Sequence, residues 1–206
     1  MSELAAQFEI LVAASVAGCF ATSFAKSPLF NVRVSHHPLG FRVAKIVSDN
    51  GESLRLHLWP PGSKSAQPGY EVHDHAFDFR SHVLLGGFRQ DAYWVCADES
   101  GESAAYTVAY TPEGSQLMKT PGRFRLNSYL ETYISQFETY RLSHETPHRI
   151  ISDTTQACAS LVLTEARKSH VTTFGPHDGP DLIRFPRLPT GRCAGAEYAS
   201  LLANTA

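Results

Sequence analysis

Two histidines, His73 and His75, stand two residues apart, and Gly86 follows eleven residues after the second. In a β-strand, side chains two residues apart project from the same face, so both imidazoles can meet at one point. A third histidine, His148, lies in the segment Pro-His-Arg-Ile-Ile, which also reads as a strand. Three neutral imidazoles on one side of a metal ion leave its other side open to water, oxygen or substrate. The pattern therefore predicts a divalent metal site formed by His73, His75 and His148.

The bulk composition is that of a folded protein of ordinary polarity. The chain has 206 residues, of which 43% are hydrophobic and 18% charged, and its formal net charge is −2. This length predicts one domain with a sizeable core. The charge balance, with no basic run, argues against a nucleic-acid-binding surface. The four cysteines are scattered without any Cys-x-x-Cys, which favours reduced thiols in a cytoplasmic protein over a disulfide framework.

An N-terminal segment has some features of an export signal. Residues 10–14 are apolar, and Val16-Ala17-Gly18-Cys19 has the small residues of a lipoprotein cleavage site. However, no Lys or Arg precedes Lys26, and Glu3 and Glu9 fall where a basic region is needed. No stretch approaches the ~20 apolar residues of a membrane span. We therefore expect a cytoplasmic protein without a membrane partner.

Hydrophobic periodicity changes from helical to strand-like along the chain. Residues 2–24 have apolar positions at helical spacing, and Pro28 ends that pattern. Short alternating runs separated by turn residues follow, as in a β-sandwich or barrel. The predicted strands are residues 41–47, 53–59, 70–79, 81–85, 92–97, 105–110, 128–134, 139–142, 148–151 and 159–164. Residues 98–103 and 111–122 are predicted to be exposed connections.

The predicted division of the chain has three parts. Residues 1–27 form an N-terminal helix packed on a barrel, and residues 28–168 form the barrel itself. Residues 169–206 form an irregular C-terminal tail, rich in Pro and Gly up to 192, with a short helix at about 194–202.

The stretch from His73 to Gly86 resembles the first motif of the cupins, in which His-x-His is followed by a glutamate and, after six intervening residues, a glycine. Phe79 stands where cupins place the glutamate ligand, and Gly69 lies two residues late for the leading glycine. The second motif is represented by residues 143–148, which contain the third histidine. The resemblance covers residues 40–165. It implies a mainly β fold with a single double-stranded β-helix (jelly-roll) barrel, an N-terminal helix and a short C-terminal helix.

Among cupins, a three-histidine site without the glutamate resembles the thiol dioxygenases, such as cysteine dioxygenase. Lys45 falls near the place where that family keeps an arginine for the substrate carboxylate. The family's Ser, His and Tyr on alternate residues of the late strand map onto Ser160, Val162 and Thr164, so only the serine is retained. The resemblance implies a mononuclear non-haem iron(II) dioxygenase that acts with O₂ on a small anionic, thiol- or amino-acid-like molecule.

The residues themselves support an anionic substrate. Three neutral ligands leave the full dipositive charge on the metal, which favours a thiolate or carboxylate. Lys45 is the first candidate for holding the anion and Arg55 the second, with Arg42 as a further cation on the same strands. Phe77 and Phe79 are predicted to form an apolar wall beside the metal.

Other residues near the motif have competing interpretations. His144 is the main rival of His148 as third ligand, although it falls in a turn. His82 and Asp78 have the wrong strand parity for the ligand face and are expected to point away. Three tyrosines could place a phenol near the metal or simply pack in the barrel: Tyr129, Tyr133 and Tyr140.

Two other function classes stay open at this stage. One is a redox-silent lyase, isomerase or hydrolase that uses Zn, Ni or Mn as a Lewis acid in place of Fe(II). The other is a non-catalytic domain that binds a small ligand, because one fold can host all three functions. A homodimer is compatible with the sequence.

Overall fold

The structure is a computed structural model that describes residues 1–48, 50–111, 114–152, 155–167 and 170–203. Its helices are at the two ends of the chain: α1 (Glu3–Val16), α2 (Phe20–Phe24), a short 3-10 helix (Pro28–Asn31) and α3 (Ala194–Ala203). Ser2 caps α1, because its hydroxyl oxygen accepts a hydrogen bond from the Ala5 N–H at 3.1 Å.

The predicted single helix over residues 2–24 is wrong, since the chain forms two helices there. Gly18 interrupts the helical path with a φ of 72°, a left-handed conformation that glycine adopts without steric cost. The break turns α2 back, so that Phe20 and Phe24 pack against Tyr198 of α3.

The strands form two antiparallel sheets. They are β1 (Arg33–His36), β2 (Arg42–Val47), β3 (Ser53–Trp59), β4 (Val72–His73), β5 (Phe77–Leu85), β6 (Gly87–Ala97), β7 (Ser103–Thr111), β8 (Gly114–Lys119), β9 (Phe124–Ser135), β10 (Thr139–Leu142), β11 (His148–Ser152), β12 (Cys158–Ala166), β13 (Val171–Pro176), β14 (Leu182–Pro186) and β15 (Pro189–Cys193). The seven-stranded sheet has the order β10-β5-β12-β3-β2-β1-β15, and the eight-stranded sheet has the order β13-β4-β11-β6-β9-β7-β8-β14.

The alternation in β3 separates the face of the seven-stranded sheet that packs against the helices from the face that lies between the two sheets. Leu54, Leu56 and Leu58 are fully buried against the helices, in the core that contains Phe8 and Leu11 of α1. The alternate residues of β3 face the interior between the sheets, where Trp59 contacts a second core. The fold therefore directs one polar row of β3, which includes Arg55, into the interior.

Four strands, β8 and β13 to β15, form in regions predicted to be a loop or an irregular tail. Residues 114–119 lie within the expected 111–122 connection but form β8, which pairs with β7 and β14. The irregular tail is also a wrong prediction, because β13 pairs with β4 and β7 and β15 pairs with β1. These segments have weak strand patterns, and their conformation depends on neighbouring strands that need hydrogen-bonding partners.

The predicted fold class is confirmed: the chain is mainly β, with two antiparallel sheets in a jelly-roll-like arrangement and helices at both ends. The three-part division of the chain stays a prediction. Within the described part of the chain, no helix has both the length and the apolar content that a membrane crossing requires.

Candidate metal centre

The three predicted histidines come from two strands and one crossover. His148 begins β11 and lies directly opposite His73 in the antiparallel β4–β11 pair. His75 follows β4 in the crossover to β5, which belongs to the other sheet. The prediction of one regular strand over residues 70–79 is therefore wrong, and strand parity alone does not explain the position of His75.

Asp74 fixes the crossover that carries His75. Its N–H donates to the Thr172 carbonyl at 2.9 Å, and its carboxylate accepts from the Thr172 N–H at 2.7 Å. This pair of hydrogen bonds ties the short crossover to β13 before the chain enters β5. His75 is thereby held beside His73 although neither sheet includes it.

The ligand nitrogens of the three histidines converge. One nitrogen from each of His73, His75 and His148 lies within 4.8 Å of the other two, and among the described residues no carboxylate or thiol belongs to this group. The Nε2 atoms of His75 and His148 are 2.9 Å apart. Imidazole nitrogens bind divalent metals such as zinc at about 2.1 Å, so two of them on one ion lie roughly 3–3.4 Å apart, depending on the angle between them. The observed separation fits two ligands of one metal ion.

Contacts behind the rings select the nitrogens that face inward. The Nδ1 of His73 lies 2.8 Å from the Glu71 carbonyl oxygen, so Nδ1 carries the proton and Nε2 keeps its lone pair. His148 is 3% exposed, and its Nδ1 has no hydrogen-bond partner among the described residues. The His148 ring is thus positioned by packing, whereas the His73 ring is also held by a backbone carbonyl.

Burial keeps all three imidazoles in the neutral form that a metal needs. Burial is the main cause that lowers the pKa of His73, and it lowers the pKa values of His75 and His148 well below the usual range. The neighbouring histidines add to this effect at His75 and His148. At neutral pH the cluster therefore offers lone pairs rather than positive charges.

The predicted aromatic wall lies beside the cluster. The Phe77 ring stacks on His75 with centroids 4.8 Å apart, and the Phe79 ring meets His75 edge-on at 5.1 Å. The Arg55 guanidinium lies over the Phe77 ring, 4.2 Å from its centroid. Contacts therefore run without a break from the Arg55 guanidinium through the Phe77 ring to the His75 ring.

The two predicted anion-binding residues differ in their surroundings. Arg55 is partly buried, and its Nε donates to Ser53 Oγ at 2.9 Å. Lys45 lies opposite Arg55 in the β2–β3 pair, and most of its side chain is exposed. Partial burial of its amine and the charges of Arg55 and Arg187 lower its pKa. Arg42 is paired with the buried carboxylate of Glu197. Of these three cations, Arg55 is the one that contacts the aromatic wall beside His75.

The alternative residues near the motif lie outside the cluster. His144 donates through its N–H to Asp78 at 2.8 Å, and its Nδ1 is 2.7 Å from the same carboxylate oxygen. These contacts, with Arg167, lower the pKa of Asp78 to about 2. His82 is buried between Ser15 of α1 and Thr139 of β10. The expectation that His82 and Asp78 point away from the ligand face is confirmed.

Only one of the three tyrosines is close to the site. Tyr140 contacts Phe79 with ring centroids 5.7 Å apart, and burial raises its pKa. Tyr129 and Tyr133 are exposed on β9.

Three residues that the sequence analysis did not single out lie near Arg55. His57 shares the inward row of β3, and burial with the charges of Arg55 and Arg187 lowers its pKa to about 3. His37 interacts with Arg187, whose Nη2 is 3.1 Å from His37 Nε2. The alternation in β3 could have identified His57, but no local signal marks Arg187 in a segment predicted to be irregular.

Comparisons with known proteins yield only distant structural similarity. No protein-family model matches the chain, and no curated protein matches it in sequence. A DMSP lyase structure is 14% identical with a TM-score of 0.32, covering 70% of this chain and 52% of its own. A variant of oxalate decarboxylase from Bacillus subtilis is 13% identical with a TM-score of 0.38, covering 66% and 28%.

A cupin-2 domain protein from Rhodospirillum rubrum is 15% identical with a TM-score of 0.37, covering 81% of this chain and 75% of its own. The chain spans about half the length of the lyase and less than a third of the decarboxylase. At these scores, the site has to be interpreted from its own residues.

Proposed function

We propose that this protein is a metal-dependent enzyme, a mononuclear non-haem iron(II) dioxygenase that acts on a small anionic, thiol- or amino-acid-like molecule. One observation carries the proposal: the imidazole nitrogens of His73, His75 and His148 converge in an interior position without a carboxylate among them. His73 and His75 are partly exposed, so a small molecule can reach the cluster.

The donor set is suited to a divalent metal with open positions. His73, His75 and His148 would hold the ion, and three protein ligands leave room for further ones. When bound, such an iron ion supplies redox chemistry with O₂ and attraction for an anionic substrate. The absence of a carboxylate ligand favours that attraction, because the three imidazoles do not offset the charge of the ion.

The surrounding side chains would orient the substrate. The Arg55 guanidinium can donate two parallel hydrogen bonds to a carboxylate, a geometry that fixes direction as well as charge. Phe77 and Phe79 cover one side of His75 and exclude water from it. A molecule that spans from the cluster to Arg55 would therefore be held at both ends with an apolar middle. Lys45, opposite Arg55 on the neighbouring strand, adds positive charge at the outer end.

Metal analysis tests the ligand assignment. We expect the His148→Ala variant to lose most of the metal that the wild type retains when both are purified without chelators. His144→Ala is the matched control, because His144 lies four residues earlier, in the turn before β11, and bonds to Asp78 instead. If His148→Ala keeps the metal content of the wild type, the three-histidine site is refuted.

Oxygen uptake and spectroscopy test the reaction class. We expect iron in the purified protein, an iron–nitrosyl spectrum with nitric oxide under anaerobic conditions, and oxygen consumption with small thiol carboxylates. A tightly held zinc ion without oxygen uptake would refute the dioxygenase and indicate the redox-silent alternative. A homodimer and a cytoplasmic location stay predictions.

A further inference from the structure

Three cationic side chains lie close to one another around Arg55, and no acidic side chain of the described residues forms an ion pair with them. Arg55, Arg187 and Lys45 interact electrostatically with one another. In the described part of the chain, none of the three forms an ion pair with an acidic side chain, although seven other arginines do: Arg42, Arg80, Arg89, Arg125, Arg149, Arg167 and Arg192. We call Arg55, Arg187 and Lys45 the cationic cluster.

Arg187 has donor groups without an acceptor. Its Nε is buried and has no hydrogen-bond partner among the described residues. Its Nη2 points at His37 Nε2 at 3.1 Å, while the Leu39 N–H points at the other ring nitrogen at 3.2 Å. A neutral imidazole has one acceptor nitrogen, so it cannot satisfy both donors. Arg187 as a whole is partly exposed, but a buried Nε–H that lacks an acceptor is costly unless a bound anion supplies one.

The neighbouring His37 and His57 rings do not change the charge of the cationic cluster. Burial and the two arginines lower the pKa values of both histidines, so the rings are neutral at pH 7. Tyr110, whose ring lies 5.2 Å below the Arg187 guanidinium, also stays protonated because burial raises its pKa. Asp74 also interacts with Tyr110, but no described acidic side chain forms an ion pair with the cationic cluster. A singly charged ligand would leave two of them unpaired, whereas a doubly charged one offsets most of the repulsion.

We propose that Arg55 and Arg187 together bind a doubly charged oxyanion group of the substrate, a phosphate or a dicarboxylate. This inference rests on the proposed function for the identity of the site, because the other end of the same molecule would reach the histidine cluster past Phe77. It adds a substrate-binding residue from the segment between β14 and β15. It also narrows the substrate class to molecules with two negative charges at the end away from the metal.

Anion titration tests the proposal. Inorganic phosphate, malonate and acetate are titrated at pH 8 and constant ionic strength by isothermal titration calorimetry. We expect saturable binding of phosphate or malonate, with the tighter of the two indicating the chemical source of the group, and weaker binding of acetate. Because a hydrogen bond to a charged group contributes about 1.5–3 kcal/mol, Arg187→Met should weaken binding roughly 10- to 100-fold. Arg55→Met should weaken it by a similar factor.

Two controls make the result specific. The exposed Arg184, three residues before Arg187 and without an ion pair in the described chain, provides the matched variant Arg184→Met, which should bind like the wild type. Arg187→Lys keeps the charge but loses the planar donor pair, so it should fall between Arg187→Met and the wild type. If Arg187→Met fails to fold by circular dichroism, the comparison of Arg187→Lys with Arg184→Lys decides.

The outcomes separate this inference from the metal proposal. Phosphate or malonate binding that is unchanged in His148→Ala supports the anion site, whatever the metal content of the wild type. Binding that disappears in His148→Ala would show that the anion ligates the metal and would overturn the proposal. Equal affinities in wild type and Arg187→Met, acetate binding as tight as that of both dianions, or no saturable binding would overturn it as well.

Discussion

The Phe79→Glu substitution tests whether the ligand sphere has a vacant carboxylate position next to His75. Phe79 is 7% exposed, and its ring lies 5.1 Å from the His75 ring and 6.0 Å from the His148 ring. It packs with Leu142 and Val162 in a small apolar core. A glutamate there would place a carboxylate within reach of the histidine cluster, but in surroundings that disfavour its charged form.

Without metal, the substitution is expected to destabilise the protein. Loss of a buried phenylalanine costs about 3–5 kcal/mol, and the carboxyl group would stay protonated because burial raises its pKa. In a chain of this size, 1 kcal/mol shifts the melting temperature by roughly 2–4 °C. In the presence of chelator we therefore expect Phe79→Glu to melt about 6–20 °C below the wild type. Phe79→Gln, a neutral side chain of the same length, should melt in the same range.

With metal, the two variants should diverge. Zinc serves as a redox-silent probe, and a fourth ligand that tightens binding tenfold adds about 1.4 kcal/mol of stabilisation at fixed excess metal. Scanning calorimetry with chelator and with zinc should thus show a gain for Phe79→Glu that exceeds the gain for Phe79→Gln by roughly 3–6 °C. Oxygen-dependent activity should be lost in Phe79→Glu, because the added charge competes with an anionic substrate. Equal zinc-induced gains in both variants would refute the placement of Phe79 at the ligand position.

The remaining predictions concern stability. His82 is buried with a pKa lowered by burial, so it is neutral in the folded protein and gains a proton more readily on unfolding. The stability it contributes is present above the unfolded pKa of about 6.5 and is lost as the pH falls below that value. We expect the melting temperature of His82→Gln to fall less between pH 7 and pH 5 than that of the wild type or of the exposed control His170→Gln, and equal slopes would contradict this reasoning. In denaturant titrations, Gly86→Ala should lower the free energy of unfolding by more than about 1 kcal/mol, because φ is 67° and the added Cβ would lie 2.5 Å from the Ala157 carbonyl oxygen. Gly62 also has a positive φ, but an added Cβ meets no atom within 4 Å, so Gly62→Ala measures the cost of the backbone conformation alone.

The parts of the molecule with strong local patterns could be predicted from the sequence. The alternation of leucines and polar residues in β3 identified the strand with its observed bounds and the two faces that it separates. The His-x-His spacing and the segment Pro-His-Arg-Ile-Ile identified the three histidines that converge in the structure. Gly86 could be recognised from its interval to His75, and the structure explains the glycine by its close approach to Ala157. Each of these inferences depends on the periodicity of one short segment.

The parts that depend on distant partners could not be predicted. β8 and β13 have little alternation, and they are strands because β7 offers hydrogen-bonding groups on both of its edges. The position of His75 depends on a contact between Asp74 and Thr172, which are far apart in the sequence. Arg187 joins Arg55 only after the segment beyond β14 returns to the interior. No local propensity contains this information, since tertiary contacts override weak patterns.

The distance along the chain between His75 and His148 has a consequence for the order of metal binding and folding. The two residues are 73 positions apart, and β5 to β10 lie between them. In the unfolded chain, His73 and His75 form a local pair, but recruiting His148 would require closing a loop with an entropic cost of about 4 kcal/mol. During folding, the pairing of β4 with β11 brings these residues together, and the interactions of the folded sheets offset that entropic cost. Fold assembly therefore preorganises the third ligand, and a metal bound afterwards would act as a cross-link between the β4–β5 crossover and β11, which enclose six strands of the chain.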